Sequence, residues 1–188
     1  KGLIAVDKKG GKVLFLAPDT LETEIVLDGF PATPHELLVV PETSRAYVPI
    51  FCDGIHGDNP NPGVLLAIID LEKRAHVGDV DLRPLEAPHT LRMAPDRNIY
   101  VTCENSAAIA IVSQDSHEVI VTIETGSTNS HRLEISPDGR RLYTENEEDC
   151  SISVIDVSQR RLLRTIETPH ALAGLAVTQD GKLVIAVD

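Results

Sequence analysis

One stretch of the chain repeats the next almost position for position. The segment from His89 reads HTLRMAPDRNIYVTCENSAAIAIVSQDSHEVIVTIE, and the segment from His131 reads HRLEISPDGRRLYTENEEDCSISVIDVSQRRLLRTIE. Equivalent turns carry Glu42, Asp96, Asp138 and Asp180, which stand 54, 42 and 42 residues apart. The longer first interval holds an insertion of turn formers, CDGIHGDNPNPG, from Cys52 to Gly63. Each unit contains four short runs rich in Val, Ile, Leu, Thr and Tyr, as in Leu133 to Ile135, Arg141 to Thr144, Ser151 to Ile155 and Leu162 to Ile166. Such runs, bounded by turn residues, are strands. Nothing with helical spacing persists long enough for a helix, so the class is all-β.

Four strands every 42 residues or so is the period of one β-propeller blade. With strands labelled A to D from the channel outward, the turn at Pro137-Asp138-Gly139 joins A to B. The reading then divides the chain into a partial blade over 1–33, a repeat over 34–87 with the insertion at 52–63, repeats over 88–129 and 130–171, and a partial repeat over 172–188. The first and last strands, LIAVD from Leu3 and VIAVD from Val184, are nearly identical, so the chain is cut at equivalent points. A propeller closes only when its last blade meets its first. About four blades with open ends would expose unpaired edges and an apolar blade face. The expectation is therefore a segment of a seven- or eight-bladed ring, completed by remaining blades or by a second copy of the chain.

The net charge of −12, from 29 acidic against 17 basic residues, repels a phosphate backbone and excludes nucleic acid as a general partner. Aromatic residues make up only 3% and Trp is absent, so the stacking platforms of single-strand binders are missing as well. A cation or a basic partner suits this charge. No run approaches the roughly 18 apolar residues of a membrane helix. Cys52, Cys103 and Cys150 form neither a disulfide framework nor a zinc-ligand spacing, and read as buried free thiols.

The segments NIYVTCENSAAIAIVS and RLYTENEEDCSISVIDVSQRRLLRTIE resemble the YVTN repeat, with its Pro-Asp-Gly turn, Tyr-Val-Thr strand and Val-Ile-Asp strand. The resemblance spans essentially the whole chain, and the blade after the insertion, GDNPNPGVLLAIIDLEKRAHVGDVDL, is similar to one in YncE-like bacterial proteins. It implies a propeller, a binding scaffold and a periplasmic or otherwise extracytoplasmic location. More distant relatives include lactonases, streptogramin lyase and haem or quinone enzymes. Two positions depart from the pattern: Pro49 stands in the B strand of the first full blade, where it has no ladder donor, and Val184 replaces the Tyr of the last.

Seven residues before each turn residue stand His35, His89 and His131, and in the fourth unit Ala173, with His170 displaced by three. These positions begin strand A, at one mouth of the channel. Strand B runs back to the same mouth and ends in acid at Asp7, Glu104, Glu147 and Asp188, with Asp53 just beyond Phe51. The insertion brings Asp53, His56 and Asp58 to this face. Histidine and carboxylate suit a divalent ion, and His exchanges protons near neutral pH. The same histidines also serve to fill the channel and bond a neighbouring carbonyl, and the run Glu145, Glu147, Glu148, Asp149 reads as a solvated loop.

Catalytic signatures are missing. Gly10-Gly11-Lys12 lacks P-loop spacing, no G-x-S-x-G, H-E-x-x-H or c-type haem motif occurs, and the hydroxyls of Ser127 and Ser130 near the mouth do not make a triad. The NPNPG stretch reads as a tight surface loop. Two functions remain. The first is a scaffold binding a small molecule or a protein at the channel mouth. The second is a lactonase-like hydrolase or lyase with His89 and His131 as acid or base, and with His35, His56, His170, Asp53, Glu104 and Glu147 toward ligand or a divalent metal.

Overall fold

A computed structural model describes residues 2–52 and 59–187. Asp53, His56, Asp58 and Asp188, named above at the mouth, lie outside the described residues. The first sheet is β1 (Leu3–Asp7), β2 (Lys12–Leu16) and β3 (Thr23–Leu27). The second holds β4 (Thr33–Pro34), β5 (Leu38–Val40), β6 (Arg45–Cys52), β7 (Pro62–Asp70) and β8 (Ala75–Asp81). The third is β9 (Pro88–Met93), β10 (Ile99–Cys103), β11 (Ala108–Val112) and β12 (Val119–Glu124). The fourth is β13 (Ser130–Ile135), β14 (Arg141–Asn146), β15 (Ser151–Asp156) and β16 (Arg161–Glu167), and β17 (Gly174–Val177) pairs with β18 (Val184–Val187) in the last. Every pairing is antiparallel between chain neighbours, save that β4 and β5 share β6.

That exception follows from one residue. Leu38 pairs with Tyr47 and Pro34 with Ile50, and the inner strand parts between them, opposite Pro49. Proline has no N–H for the ladder. Its carbonyl still accepts the His35 N–H at 3.0 Å, which fixes His35 in the gap.

The repeated acids of the turns have one structural job. Asp96, Asp138 and Asp180 accept the backbone N–H groups of Asn98, Arg140 and Lys182 at 3.0, 3.0 and 3.1 Å. The residue after each has positive φ: 66° at Arg97, 70° at Gly139 and 68° at Gly181. Glycine meets that geometry without a Cβ penalty. The C-to-D turns reuse the device. Asp70 accepts from the N–H groups of Glu72 and Lys73, and Asp156 from the N–H of Gln159 and the Ser158 hydroxyl. Arg45 and Arg141, from the neighbouring strand, pair with these two carboxylates.

Three apolar layers join the sheets. Val13 and Phe15 meet Ala46, Val48 and Ile50 between the first two sheets. Tyr47, Leu66 and Ile68 meet Leu91, Val101 and Val112 between the next two. Tyr100, Ile109 and Ile111 meet Leu133, Leu142 and Ile155 beyond them. Alternate residues of β6 and β10 thus point into different layers, so these second strands of their blades are apolar on both faces. Each fully buried Ile or Leu contributes roughly 1.5–3 kcal/mol.

The NPNPG stretch differs from a plain surface loop. Asn59 is buried, its carbonyl accepts from the Asn105 side chain at 3.1 Å, and β7 starts within the stretch at Pro62. A Cβ at Gly63 would fall 1.7 Å from the Ile50 carbonyl oxygen, so only glycine permits that approach. None of the three cysteines is in a disulfide, and Cys52 and Cys103 are buried as expected. Burial pushes the Cys103 thiol up to about 12. Cys150 is not buried: it is half-exposed, because it lies in the surface turn between β14 and β15, where its φ is 48°.

A histidine and glutamate site at the channel mouth

The in-phase histidines are aimed by irregular pairing. Leu91 opposes Val101 and Pro88 opposes Cys103, which leaves both His89 and Thr90 against Thr102. Likewise Ser130 opposes Asn146 and Arg132 opposes Glu145, which leaves His131 as the extra residue. A β-bulge of this kind redirects a side chain. His89 and His131 are therefore the second residues of β9 and β13, and His35 sits just past β4, where the sequence reading placed all three at the first residue of the strand.

The three rings form a row, each tilted against the next. The His35 and His89 centroids are 3.9 Å apart with planes inclined at 47°, and those of His89 and His131 are 3.9 Å apart at 48°. Phe51 meets both His35 and His89 edge-on, at 5.1 and 5.0 Å. The Lys8 ammonium closes one end, donating to His35 Nε2 at 2.7 Å. His89 and His131 are buried, at 0% and 8% exposure.

Carboxylates flank this row. Glu104, directly after β10, is buried at 2% exposure, and its Oε1 lies 3.9 Å from His89 Nε2. Burial, reinforced by the carboxylates of Glu148 and Glu147, pushes the Glu104 carboxyl up to about 8, with Lys8 pulling the other way. At the far end His131 Nδ1 lies 3.3 Å from Glu145 Oε2 and 3.4 Å from Glu147 Oε2. Among the described residues, three overlapping groups have the chemistry and closeness of metal ligands: His35, Glu36 and His89; His89, Glu104 and His131; His131, Glu145 and Glu147, with the ligand atoms of each within 4.8 Å of one another.

The sequence reading is corrected at Glu145, which is no part of a solvated loop: it lies within β14 and is fully buried. His170 is exposed in the loop before β17 and belongs to none of the three groups. Ser127 and Ser130 are engaged in the turn, Ser127 with Asp149 and Ser130 with Asn146 at 2.9 Å. Lys8 was overlooked, although it lies in the B-to-C turn of the first sheet, on the same rim by the same topology.

A second overlooked feature runs along the inner strands. Arg92 bonds Glu134 at 2.8 Å, 42 positions onward, and Arg132 bonds Glu36, 96 positions back. Arg92 also approaches Glu36, at 3.9 Å. Four alternating charges thus link the inner strands of three sheets.

No protein-family model matches the sequence, and neither does any curated protein sequence. Solved structures do match. Hydrazine synthase of Kuenenia stuttgartiensis superposes with a TM-score of 0.79 at 21% identity, over 97% of this chain and 51% of that one. The WD40 β-propeller domain of Doa1 superposes with a TM-score of 0.72 at 12% identity, over 98% of this chain and 56% of that one. The fold is a β-propeller. The chain spans about half the length of each of these structures, and its successive sheets are blades.

Proposed function

We propose that the chain is a propeller scaffold that recognises a cationic ligand or a basic protein segment at the channel mouth. The observation that carries this reading is the row of His35, His89 and His131, from three successive blades, with the buried carboxylates of Glu104 and Glu145 beside its second and third rings. Glu147, Glu148 and Asp149 extend the acidic surface outward from them. A cluster of carboxylates raises the local concentration of cations. Membership of the YVTN or YncE-like group, an extracytoplasmic location, and completion of the ring by further blades or a second copy belong to the same proposal.

The test is binding of a fluorescent hexa-arginine peptide, followed by anisotropy with a chelator present. Glu147→Gln and Glu148→Gln on the mouth rim are expected to weaken binding several-fold, while Asp138→Asn and Asp180→Asn on the opposite rim leave it unchanged. Equal losses from both rims would mean that only net charge is read, and would sink the proposal.

A hydrolase or lyase reading has one observation in its favour. Glu104, with its carboxyl pushed up to about 8, lies beside His89 in the range of a general acid near neutral pH. His89→Ala and His131→Ala are then expected to abolish turnover of a lactone hydrolysed by the wild type, with the fold intact. Turnover surviving both changes excludes this site as the catalyst.

A further inference from the structure

We infer that His131, Glu145 and Glu147 form a site for one divalent metal ion of the zinc class. The inference deepens the reading of the mouth as a cation-recognising face and rests on it. Four observations carry it.

The first is geometric. Four ligands around zinc at 2.0–2.2 Å stand about 3.3–3.6 Å from one another. Glu145 Oε2 and Glu147 Oε2 lie 3.3 and 3.4 Å from His131 Nδ1.

The second concerns protons. A neutral imidazole carries at most one hydrogen on Nδ1, while two carboxylate oxygens approach that atom. A divalent ion answers both carboxylates together. Imidazole nitrogen with carboxylate oxygen is a donor set that suits zinc and its neighbours in the first transition row.

The third is burial. Glu145 is 0% exposed, and its second oxygen, Oε1, is buried with no hydrogen-bond partner. Carrying a carboxylate into the interior costs several kcal/mol unless a partner compensates it.

The fourth comes from the repeat. Thr102 occupies the position of Glu145 in the preceding blade. Its hydroxyl accepts the Thr90 N–H at 3.0 Å, as Glu145 accepts the Arg132 N–H at 3.3 Å. Threonine therefore performs the backbone-satisfying role without a buried charge. A glutamate at this position needs a further reason, and the adjacent imidazole and second carboxylate supply one.

The bound ion would lie at the end of the histidine row farthest from Lys8. With three protein ligands it keeps a position open for water or for an atom of a ligand entering the mouth.

The experiment is calorimetric titration of the chelator-treated chain with Zn²⁺, with Co²⁺ absorbance as a second reading of the ligand field. One Zn²⁺ per chain is expected. Glu145→Gln and Glu147→Gln should each lower the affinity at least about tenfold, and Asp138→Asn on the opposite rim should not change it. Circular dichroism checks each fold, and Glu147, being partly exposed, is a change that leaves the buried interior of the blade untouched. Absence of stoichiometric Zn²⁺ binding overturns the inference, and so does wild-type affinity in both glutamine variants. The peptide assay above runs in chelator, so its outcome is independent of this one.

Discussion

The two rims of the propeller are both rich in carboxylates, yet their environments drive proton affinity in opposite directions. On the rim of the A-to-B and C-to-D turns, hydrogen bonds hold the carboxyl groups of Asp70, Asp138, Asp156 and Asp180 below the ordinary aspartate value. The leading donors are the Lys73 N–H for Asp70 and the hydroxyls of Ser136, Ser158 and Thr178 for the other three. On the mouth rim Glu104 is pushed up to about 8 by burial and by other acids. A carboxylate surrounded by donors from its own turn is part of the scaffold. One buried among acids and imidazoles is held in an environment that favours its protonated form or a bound cation, which is the physical content of a candidate site.

The largest expected effect of breaking this contrast is on the pH dependence of stability. Glu104 titrates near 8 in the folded chain, above the ordinary 4.5 expected of the unfolded one, so the folded state holds the extra proton between these values. Stability present below pH 4.5 is therefore lost as pH rises toward 8, by at most about 1.4 kcal/mol per pH unit. In chelator-treated protein Glu104→Gln should flatten this limb, read as the urea midpoint against pH. A limb that persists in the variant would assign it to another group. Glu148→Gln, which removes the leading electrostatic contribution, should shift the upper end of the same limb to lower pH without abolishing it.

The smallest effect is expected on the other rim. Asp156 has a depressed folded value, so its stabilisation is present above the ordinary aspartate range and is lost as pH falls through the folded value. Asp156→Asn should lower the urea midpoint at neutral pH and converge on the wild type in acid. The alkaline limb should not move. A variant that alters the alkaline limb would join the two rims electrostatically and erase the contrast.

The repeat made the blades legible because its period records strand number and turn position directly. The phase of His35, His89 and His131 was legible for the same reason, since equivalent positions in successive blades face one channel. What phase did not show was the pair of bulges that aims His89 and His131, because a bulge depends on which residue the opposite strand leaves unpaired. Glu145 was hidden by its company: four acids among residues 145–149 look like a solvated run, while the strand continues through the first of them. Met93 pairs with Ile99 whereas Ile135 pairs with Leu142, one residue further round the turn, and that shift puts Glu145 in the place that Thr102 holds opposite the bulge of His89 and Thr90. Lys8 and the Arg92–Glu134 pair were missed because they join different blades, and no single repeat contains both partners.

Neighbouring blades of this chain are held in register by charge as well as by apolar layers. Arg92 faces a glutamate in the following blade, whereas Arg132, which belongs to that blade, reaches back past the blade of Arg92 to Glu36. Each of the three blades thus holds charges whose partners lie in the other two, so the ladder works as a stitched seam: sliding any one blade along the channel axis parts its ion pairs to both of the others.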